Sequence, residues 1–217
     1  MSSQYPSPRA TIFSASKFTV KTLRSWIVLG GAALAIASVA ACDNATGNKA
    51  QFSIVAVDSQ VVYAINSAPR NAPTAVYLAS AVTGDAAVSA SSDFAFDVAF
   101  DIDNTGKAVI LPVRAVASGL AGTHSVGLQV VNTPYDSLTF APNKDFKYDS
   151  TLVVSVGQVV VIQSVGSACS TSLYANPFIY GKLTVDSINV GSHTLTLKYT
   201  VDPNCGFRSL STGVPKN

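Results

Sequence analysis

Glutamate is absent from the 217-residue sequence, which also contains a single methionine, a single tryptophan and only three cysteines. All twelve acidic residues are aspartates. Glutamate is a good helix former, whereas the abundant valine and threonine favour strands and the abundant serine and glycine favour turns. The composition therefore argues against a helical protein. The single tryptophan is Trp26, so the buried tryptophan typical of immunoglobulin domains is missing from the later part of the chain.

Charge is also scarce, and its sign changes along the chain. Four basic residues and no acidic residue precede Cys42, whereas ten basic and twelve acidic residues follow it. The part after Cys42 therefore has a formal net charge of −2. Because nucleic-acid binding requires a basic surface, we exclude nucleic acid as a partner.

An apolar run over residues 26–41 follows Lys21 and Arg24 and ends in small residues. Its length is below the roughly 20 residues that a membrane-spanning helix needs and matches the apolar region of an export signal. We predict a signal peptide over residues 1–41. A start at Val20 would give a signal of ordinary length, so we expect residues 1–19 to reflect a misassigned start.

The apolar run ends in Val39-Ala40-Ala41-Cys42, which resembles the lipobox of bacterial lipoproteins: an aliphatic residue, two small residues and a cysteine. The resemblance covers the signal region only. It implies cleavage after Ala41 and attachment of a diacylglycerol and an acyl chain to Cys42. Residues 42–50 would then be a lipidated tether, and the lipid bilayer of the bacterial cell envelope would be a partner, with the protein facing the periplasm or the cell exterior. The alternative is a secreted protein in which a cysteine happens to follow the cleavage site.

From Gln51 onward, short apolar runs alternate with polar residues and are separated by turn residues, which is the pattern of β-strands. We predict an all-β domain over residues 51–205, an antiparallel two-sheet sandwich of about nine or ten strands, with a barrel as the alternative. The predicted hairpins join 94–103 to 107–113, 152–156 to 159–163, and 183–190 to 194–201. Weaker strands are predicted near 52–57, 61–66, 74–82 and 125–131, followed by an irregular C-terminal tail over 206–217.

The alternation also predicts which side chains are buried. The residues expected to face the core are Phe94, Phe96, Phe100, Leu195 and Leu197. Asp97, Asp101 and Asp103 alternate with the phenylalanines. They should therefore form a row of like charges on the solvent face of the strand.

Cys169 and Cys205 are the two cysteines that remain if Cys42 is lipidated. Two cysteines in an exported chain most often form a disulfide, which here would tie the last hairpin to the rest of the domain. A free thiol pair and a metal site are the alternatives.

Metal binding finds little support in the sequence. Asp101-Ile-Asp103-Asn-Thr105-Gly106 is similar to the first half of a calcium loop, but the twelfth position holds Pro112 and not the bidentate glutamate that calcium requires. An ordinary hairpin turn is the preferred interpretation. A copper site drawn from His124, Cys169 and His193 would lack a methionine ligand. We predict neither a metal nor a cofactor.

Catalytic motifs such as Gly-x-Ser-x-Gly, His-Glu-x-x-His and phosphate-binding glycine loops are absent. His124 and His193 both lie beside predicted turns and are expected to be exposed to water. We predict a structural or binding role in the cell envelope, with no catalytic residues. The alternative is an envelope hydrolase without a recognisable local motif, which a pocket joining a histidine to a carboxylate would favour.

Three aromatic residues, Tyr174, Phe178 and Tyr180, follow Cys169 where a loop enters a strand. Aromatic side chains in such a position can stack on a sugar or anchor a protein, so a glycan or an envelope protein is the predicted class of partner. The preferred interpretation is that they fill the core at one end of the sandwich.

Overall fold

A computed structural model describes residues 49–90, 93–117, 123–165, 169 and 176–215 of the chain. The predicted signal peptide, the cleavage site at Ala41, the lipidation site Cys42 and the aromatic residue Tyr174 lie outside these residues. The described part contains one short α-helix, α1 (Val113–Val116), and two 3-10 helices, Leu78–Thr83 and Tyr135–Ser137. None of the helices described is long and apolar enough to span a membrane.

Eleven strands in the described part of the chain form two antiparallel sheets, which confirms the predicted all-β sandwich. The six-stranded sheet has the order β1-β11-β10-β9-β6-β7, and the five-stranded sheet has the order β3-β2-β4-β5-β8. The first sheet is built from β1 (Val55–Tyr63), β6 (Val126–Val131), β7 (Lys147–Tyr148), β9 (Val159–Val165), β10 (Phe178–Asn189) and β11 (Thr194–Asp202). The second is built from β2 (Ala75–Val76), β3 (Ala87–Val88), β4 (Val98–Ile102), β5 (Ala108–Pro112) and β8 (Leu152–Val154).

Two of the three predicted hairpins are confirmed. β10 pairs with β11, with Leu183 opposite Tyr199, and β4 pairs with β5, with Phe100 opposite Ile110. In both hairpins the apolar residues of one strand lie opposite apolar residues of the other. The period-two pattern of each strand therefore sets the register.

The third predicted hairpin is wrong, because β8 and β9 lie in different sheets. β8 pairs with β5, whereas β9 pairs with β10 and β6. The Gln158 amide donates to the Ser155 carbonyl oxygen (3.1 Å), which places Gly157 at the third position of the turn with a φ of 80°. That is the type II arrangement, whose twist does not suit a two-residue hairpin. The chain instead crosses from one sheet to the other.

Three weaker strand predictions also need correction. The predicted strand 74–82 is β2 followed by a 3-10 helix, and the two predicted strands 52–57 and 61–66 are a single strand, β1. The register of β1 against β11 shifts between Val57 and Gln60. This irregularity interrupts the alternation and explains why the sequence suggests two short strands.

The main core lies between the sheets, where Phe96, Phe100, Leu195 and Leu197 are buried as predicted. Phe94 is only partly buried, contrary to the prediction. Its φ is 53°, and it precedes the first residue of β4 by four positions. Because Phe94 lies outside the strand, the alternation of β4 does not set the direction of its side chain.

A smaller apolar cluster lies on the outer face of the six-stranded sheet. Its buried members include Leu138, Val161, Tyr180 and Leu210. The C-terminal tail contributes to this layer, since the Leu210 amide donates to the Thr139 carbonyl oxygen at 2.8 Å. The irregular tail thus packs along the sandwich as far as it is described.

A disulfide joins Cys169 and Cys205, with the Cα atoms 5.5 Å apart and a sequence separation of 36. Cys205 follows the end of β11, and Cys169 follows the end of β9. The bridge therefore closes a loop around the β10–β11 hairpin. The predicted pairing is confirmed.

Loss of this disulfide is expected to lower the free energy of unfolding by roughly 3–4 kcal/mol, because the bridge restricts the unfolded chain. Urea unfolding of the oxidised and the reduced protein measures the difference. Thiol titration of the unfolded, unreduced protein should find neither Cys169 nor Cys205 reactive. Two reactive thiols from this pair, or a stability loss below about 1 kcal/mol, would contradict the prediction.

Candidate functional site

A buried carboxylate joins the two sheets. Asp97 lies in the bend before β4, and its side chain is inaccessible to solvent. Its Oδ1 accepts a hydrogen bond from Ser164 Oγ on the inner face of β9 and lies 2.6 Å from His124 Nε2. Its Oδ2 accepts from the backbone amide of Leu78 at 2.6 Å. Because an ionised carboxylate only accepts, His124 Nε2 is the donor of its contact.

This arrangement corrects two predictions. Asp97 is not in a solvent-exposed row with Asp101 and Asp103, and His124 is not an exposed turn residue, since only 24% of its side chain is accessible. Alternation fixes side-chain direction only within a strand. Because β4 begins at Val98, the pattern could not show where Asp97 points.

The three side chains have the composition of a hydrolase triad but not its connectivity. In a triad the serine hydroxyl bonds to the histidine, which removes its proton. Here Ser164 and His124 both bond to Asp97, and Ser164 is fully buried. The serine hydroxyl is therefore not activated by the imidazole, and the cluster acts as a polar tie between the sheets.

Asp101, Asp103 and His193 are the other acids and histidine considered in the sequence, and they do not come together in a site. Asp103 Oδ1 accepts from the amides of Lys107 (2.9 Å) and Thr105 (2.8 Å), and these hydrogen bonds hold the pKa of Asp103 below its usual value. Asp101 accepts from Asn66 Nδ2 at 2.6 Å, and His193 is exposed in the β10–β11 turn. In the described ranges no group of three or more His, Cys, Asp or Glu side chains is placed to hold a metal ion.

The candidate aromatic site is not supported at Tyr180, which is buried to 2% exposure in the outer cluster. Its hydroxyl accepts from Gln163 Nε2 at 2.9 Å, and its ring packs 6.4 Å from that of Phe146. Phe178 is partly buried against the same cluster. Core filling, the preferred interpretation of these aromatics, therefore describes Tyr180.

A cleft of about 270 Å³, here called the Tyr135 cleft, lies on the outer face of the six-stranded sheet. Lys182 on β10 and Thr200 on β11 line it from the sheet. Tyr135 in the second 3-10 helix lines it from the covering segment, and Ser211 and Thr212 line it from the C-terminal tail. Three separate parts of the chain thus meet around one tyrosine.

Two lysine ammonium groups flank the Tyr135 ring. Lys182 Nζ lies 4.4 Å from the ring centroid and donates to the carbonyl oxygens of Tyr135 (2.7 Å) and Leu138 (2.8 Å). Lys198 Nζ lies 4.8 Å from the centroid, 3.1 Å from Asp136 Oδ1 and 3.5 Å from Asp58 Oδ1. These contacts fix both ammonium groups at the cleft.

Burial and hydrogen bonding shift the pKa values of Lys182, Lys198 and Tyr135 in different directions. Burial lowers the pKa of Lys182, whereas the hydrogen bond to Asp136 raises the pKa of Lys198. Burial also raises the pKa of Tyr135, whose hydroxyl lies 2.8 Å from Thr200 Oγ1. The phenol is therefore a neutral hydrogen-bonding group throughout the physiological range.

Sequence reasoning missed the Tyr135 cleft. The alternation of β10 and β11 places Lys182 and Lys198 on the face opposite the core, which normally means a solvated surface. The segment around Tyr135 and the C-terminal tail have no periodicity that predicts where they pack. The one signal is Lys182, which alternates with apolar residues on the central strand β10. This pattern indicates that another segment of the chain packs over the outer face of that strand.

A second cleft of about 290 Å³ lies at the edge of the sandwich between β6 and the segment that enters β8. Gln129, Asp145 and Lys147 are among its lining residues. Gln129 Oε1 is buried and has no hydrogen-bond partner among the described residues. Fewer polar residues line this cleft than line the Tyr135 cleft.

The start of the folded domain is tied to the end of β11. Asn204 Oδ1 accepts from the amides of Gln51 (2.7 Å) and Phe52 (2.9 Å), and Asn204 Nδ2 donates to Asp202 Oδ1 at 2.7 Å. Burial raises the pKa of Asp202 to about 6. The disulfide residue Cys205 comes next in sequence, so the entering chain is fixed beside the cross-link.

Comparison with known proteins gives no guide to the function of these groups. No protein-family model, no curated protein and no solved structure significantly matches the chain.

Proposed function

We propose that the chain is a lipid-anchored protein of the bacterial cell envelope with a non-catalytic binding role. Cleavage after Ala41 would leave Cys42 as the lipid-bearing N-terminus. The β-sandwich would then face the periplasm or the cell exterior and bind an envelope component at the Tyr135 cleft.

The pairing of cysteines is the observation that carries the proposal. Cys169 and Cys205 are joined to each other, which leaves Cys42 as the one cysteine of the chain outside the disulfide. Disulfides persist in oxidising compartments, so the bridge supports export. Cys42 also follows the apolar run at the position that the lipobox resemblance requires.

The entry of the chain into the sandwich suits a short tether. Eight residues separate Cys42 from Gln51, and a fully extended chain of that length spans about 25 Å. Because Asn204 holds the amides of Gln51 and Phe52, the tether would pull on a fixed point beside the disulfide. An anchored domain would thus stay near the membrane surface.

An envelope hydrolase is the second candidate, and the contact between His124 and Asp97 is the observation that favours it. Two features favour the binding role. Ser164 donates to the carboxylate and not to the imidazole, and the Tyr135 cleft, which is open to a ligand, lacks a histidine among its lining residues.

Replacing Cys42 by Ser is expected to abolish both lipid attachment and signal removal, because a serine hydroxyl cannot replace the thiolate that accepts the diacylglycerol. The measurement is metabolic labelling with an alkyne analogue of palmitate in a bacterial host, followed by gel electrophoresis. Wild type should carry label at the mature size, and the Cys42→Ser variant should accumulate as an unlabelled precursor.

The matched controls are Cys169→Ser and Cys205→Ser, which make the same chemical change elsewhere in the chain. Both should keep the label, although they lose the disulfide. An unlabelled wild type, or a label that persists in Cys42→Ser, would contradict the proposed anchor.

A further inference from the structure

We infer that the Tyr135 cleft binds a neutral, polyhydroxylated ligand: a sugar residue of a glycan. The inference rests on the binding role proposed above and not on the lipid anchor. It follows from the charge balance of the cleft, from its unused hydrogen-bonding groups and from its size.

The charges of the cleft cancel. Lys182 and Lys198 supply two positive charges, and Asp58 and Asp136 supply two negative charges. The two carboxylates stand at the rim, with 91% and 86% of their side chains exposed, and both contact Lys198. An anion would meet these carboxylates before it reached the lysines, and a cation would meet the ammonium groups inside. The cleft therefore favours an uncharged ligand.

The cleft also presents hydrogen-bonding groups of both kinds. The hydroxyls of Thr139, Ser211 and Thr212 line it and have no hydrogen-bond partner among the described residues. An ammonium group has three N–H donors. Lys182 uses two of them on carbonyl oxygens and Lys198 directs two at carboxylates, so each ammonium has one N–H without an oxygen partner among the described residues. A ligand with several hydroxyls can donate to and accept from these groups at once.

The lysines themselves are held rigidly. Lys182 is only 4% exposed, and its ammonium is fixed by two carbonyl oxygens and the Tyr135 ring. A donor held in place before binding loses little side-chain entropy when a ligand arrives. The volume of the cleft is close to the lower end of the roughly 300–1,000 Å³ range of small-molecule pockets, which suits one or two sugar residues.

The experiment is saturation-transfer NMR with the full protein as it is purified from a bacterial host, in a detergent that contains no sugar. The neutral probes are cellobiose, maltose and N,N′-diacetylchitobiose, and the charged probes are galacturonic acid, glucosamine and glucose 6-phosphate, all of which carry the non-exchangeable protons that the method detects. Each is used at about 20 mM, above the millimolar Kd that a few hydrogen bonds support. At least one neutral disaccharide should receive saturation, and the charged probes should receive less.

The double variant Ser211→Ala, Thr212→Val removes two of the unused hydroxyls from an exposed segment, so the fold should persist. It should weaken binding of the neutral disaccharide about tenfold, as expected from the loss of one or two hydrogen bonds. Ser155→Ala, which removes an exposed hydroxyl at a turn outside the cleft, is the matched control and should bind as wild type does.

Three results would overturn the inference: no saturation of any neutral disaccharide, stronger saturation of a charged probe, or unchanged binding by the double variant. A charged probe that binds and is lost in the double variant would retain the binding role while refuting the preference for a neutral ligand. The lipid label on Cys42 is measured separately, so failure of the anchor and failure of the sugar site remain distinguishable.

Discussion

Replacing Asp97 by Ala is expected to lower the free energy of unfolding by roughly 3–5 kcal/mol. The change removes the acceptor of three hydrogen bonds, from the Leu78 amide, His124 Nε2 and Ser164 Oγ. Two of these donors are fully buried and would find no water, whereas the partly exposed His124 could be solvated. Urea unfolding of wild type and variant measures the loss.

Asp101→Ala is the matched control, because Asp101 lies on the adjoining strand segment, is partly exposed, and accepts from the exposed Asn66 side chain and from the neighbouring Ile102 amide. That substitution should cost less than about 1 kcal/mol. Equal losses for the two variants would mean that Asp97 has no special role between the sheets. Asp97→Asn, which keeps one acceptor oxygen, should lie between the two.

Replacing Phe96 by Ala is the second large effect, with an expected loss of about 3–5 kcal/mol of unfolding free energy. Phe96 is 1% exposed and belongs to the core between the sheets. Removing its ring leaves a cavity that the packed strands can fill only partly. Equilibrium unfolding in urea provides the measurement.

Phe52→Ala is the matched control, because it makes the same substitution at a position where 42% of the residue is exposed. It should cost far less than Phe96→Ala. A loss below about 1 kcal/mol for Phe96→Ala would show that this residue does not support the core.

The alternation of apolar and polar residues predicted the hairpins whose register that alternation sets. β10 and β11 each present one apolar and one polar face, and the turn at His193 joins them directly. The same signal failed at Gly157, where the turn type and not the pattern of the strands decides between a hairpin and a crossing. Apolar patterns on both sides of a glycine turn are compatible with either outcome.

The candidate sites were less predictable, because they join distant parts of the chain. The carboxylate of Asp97 meets Ser164 from 67 residues away, and Tyr135 meets Thr200 from 65 residues away. The sequence shows each of these residues without its partner. The disulfide was predictable for the opposite reason, since the lipobox left only Cys169 and Cys205 to pair.

Intact-mass measurement of the protein purified from bacterial membranes tests the lipid anchor most directly. The expected mass is that of residues 42–217, less two hydrogens for the disulfide, with a diacylglycerol and an acyl chain added. Reduction should add two hydrogens and leave the lipid in place, because a thioether and an amide are not reducible by thiols. An unlipidated mass, or one that corresponds to a chain starting at any residue other than Cys42, would contradict the proposed anchor.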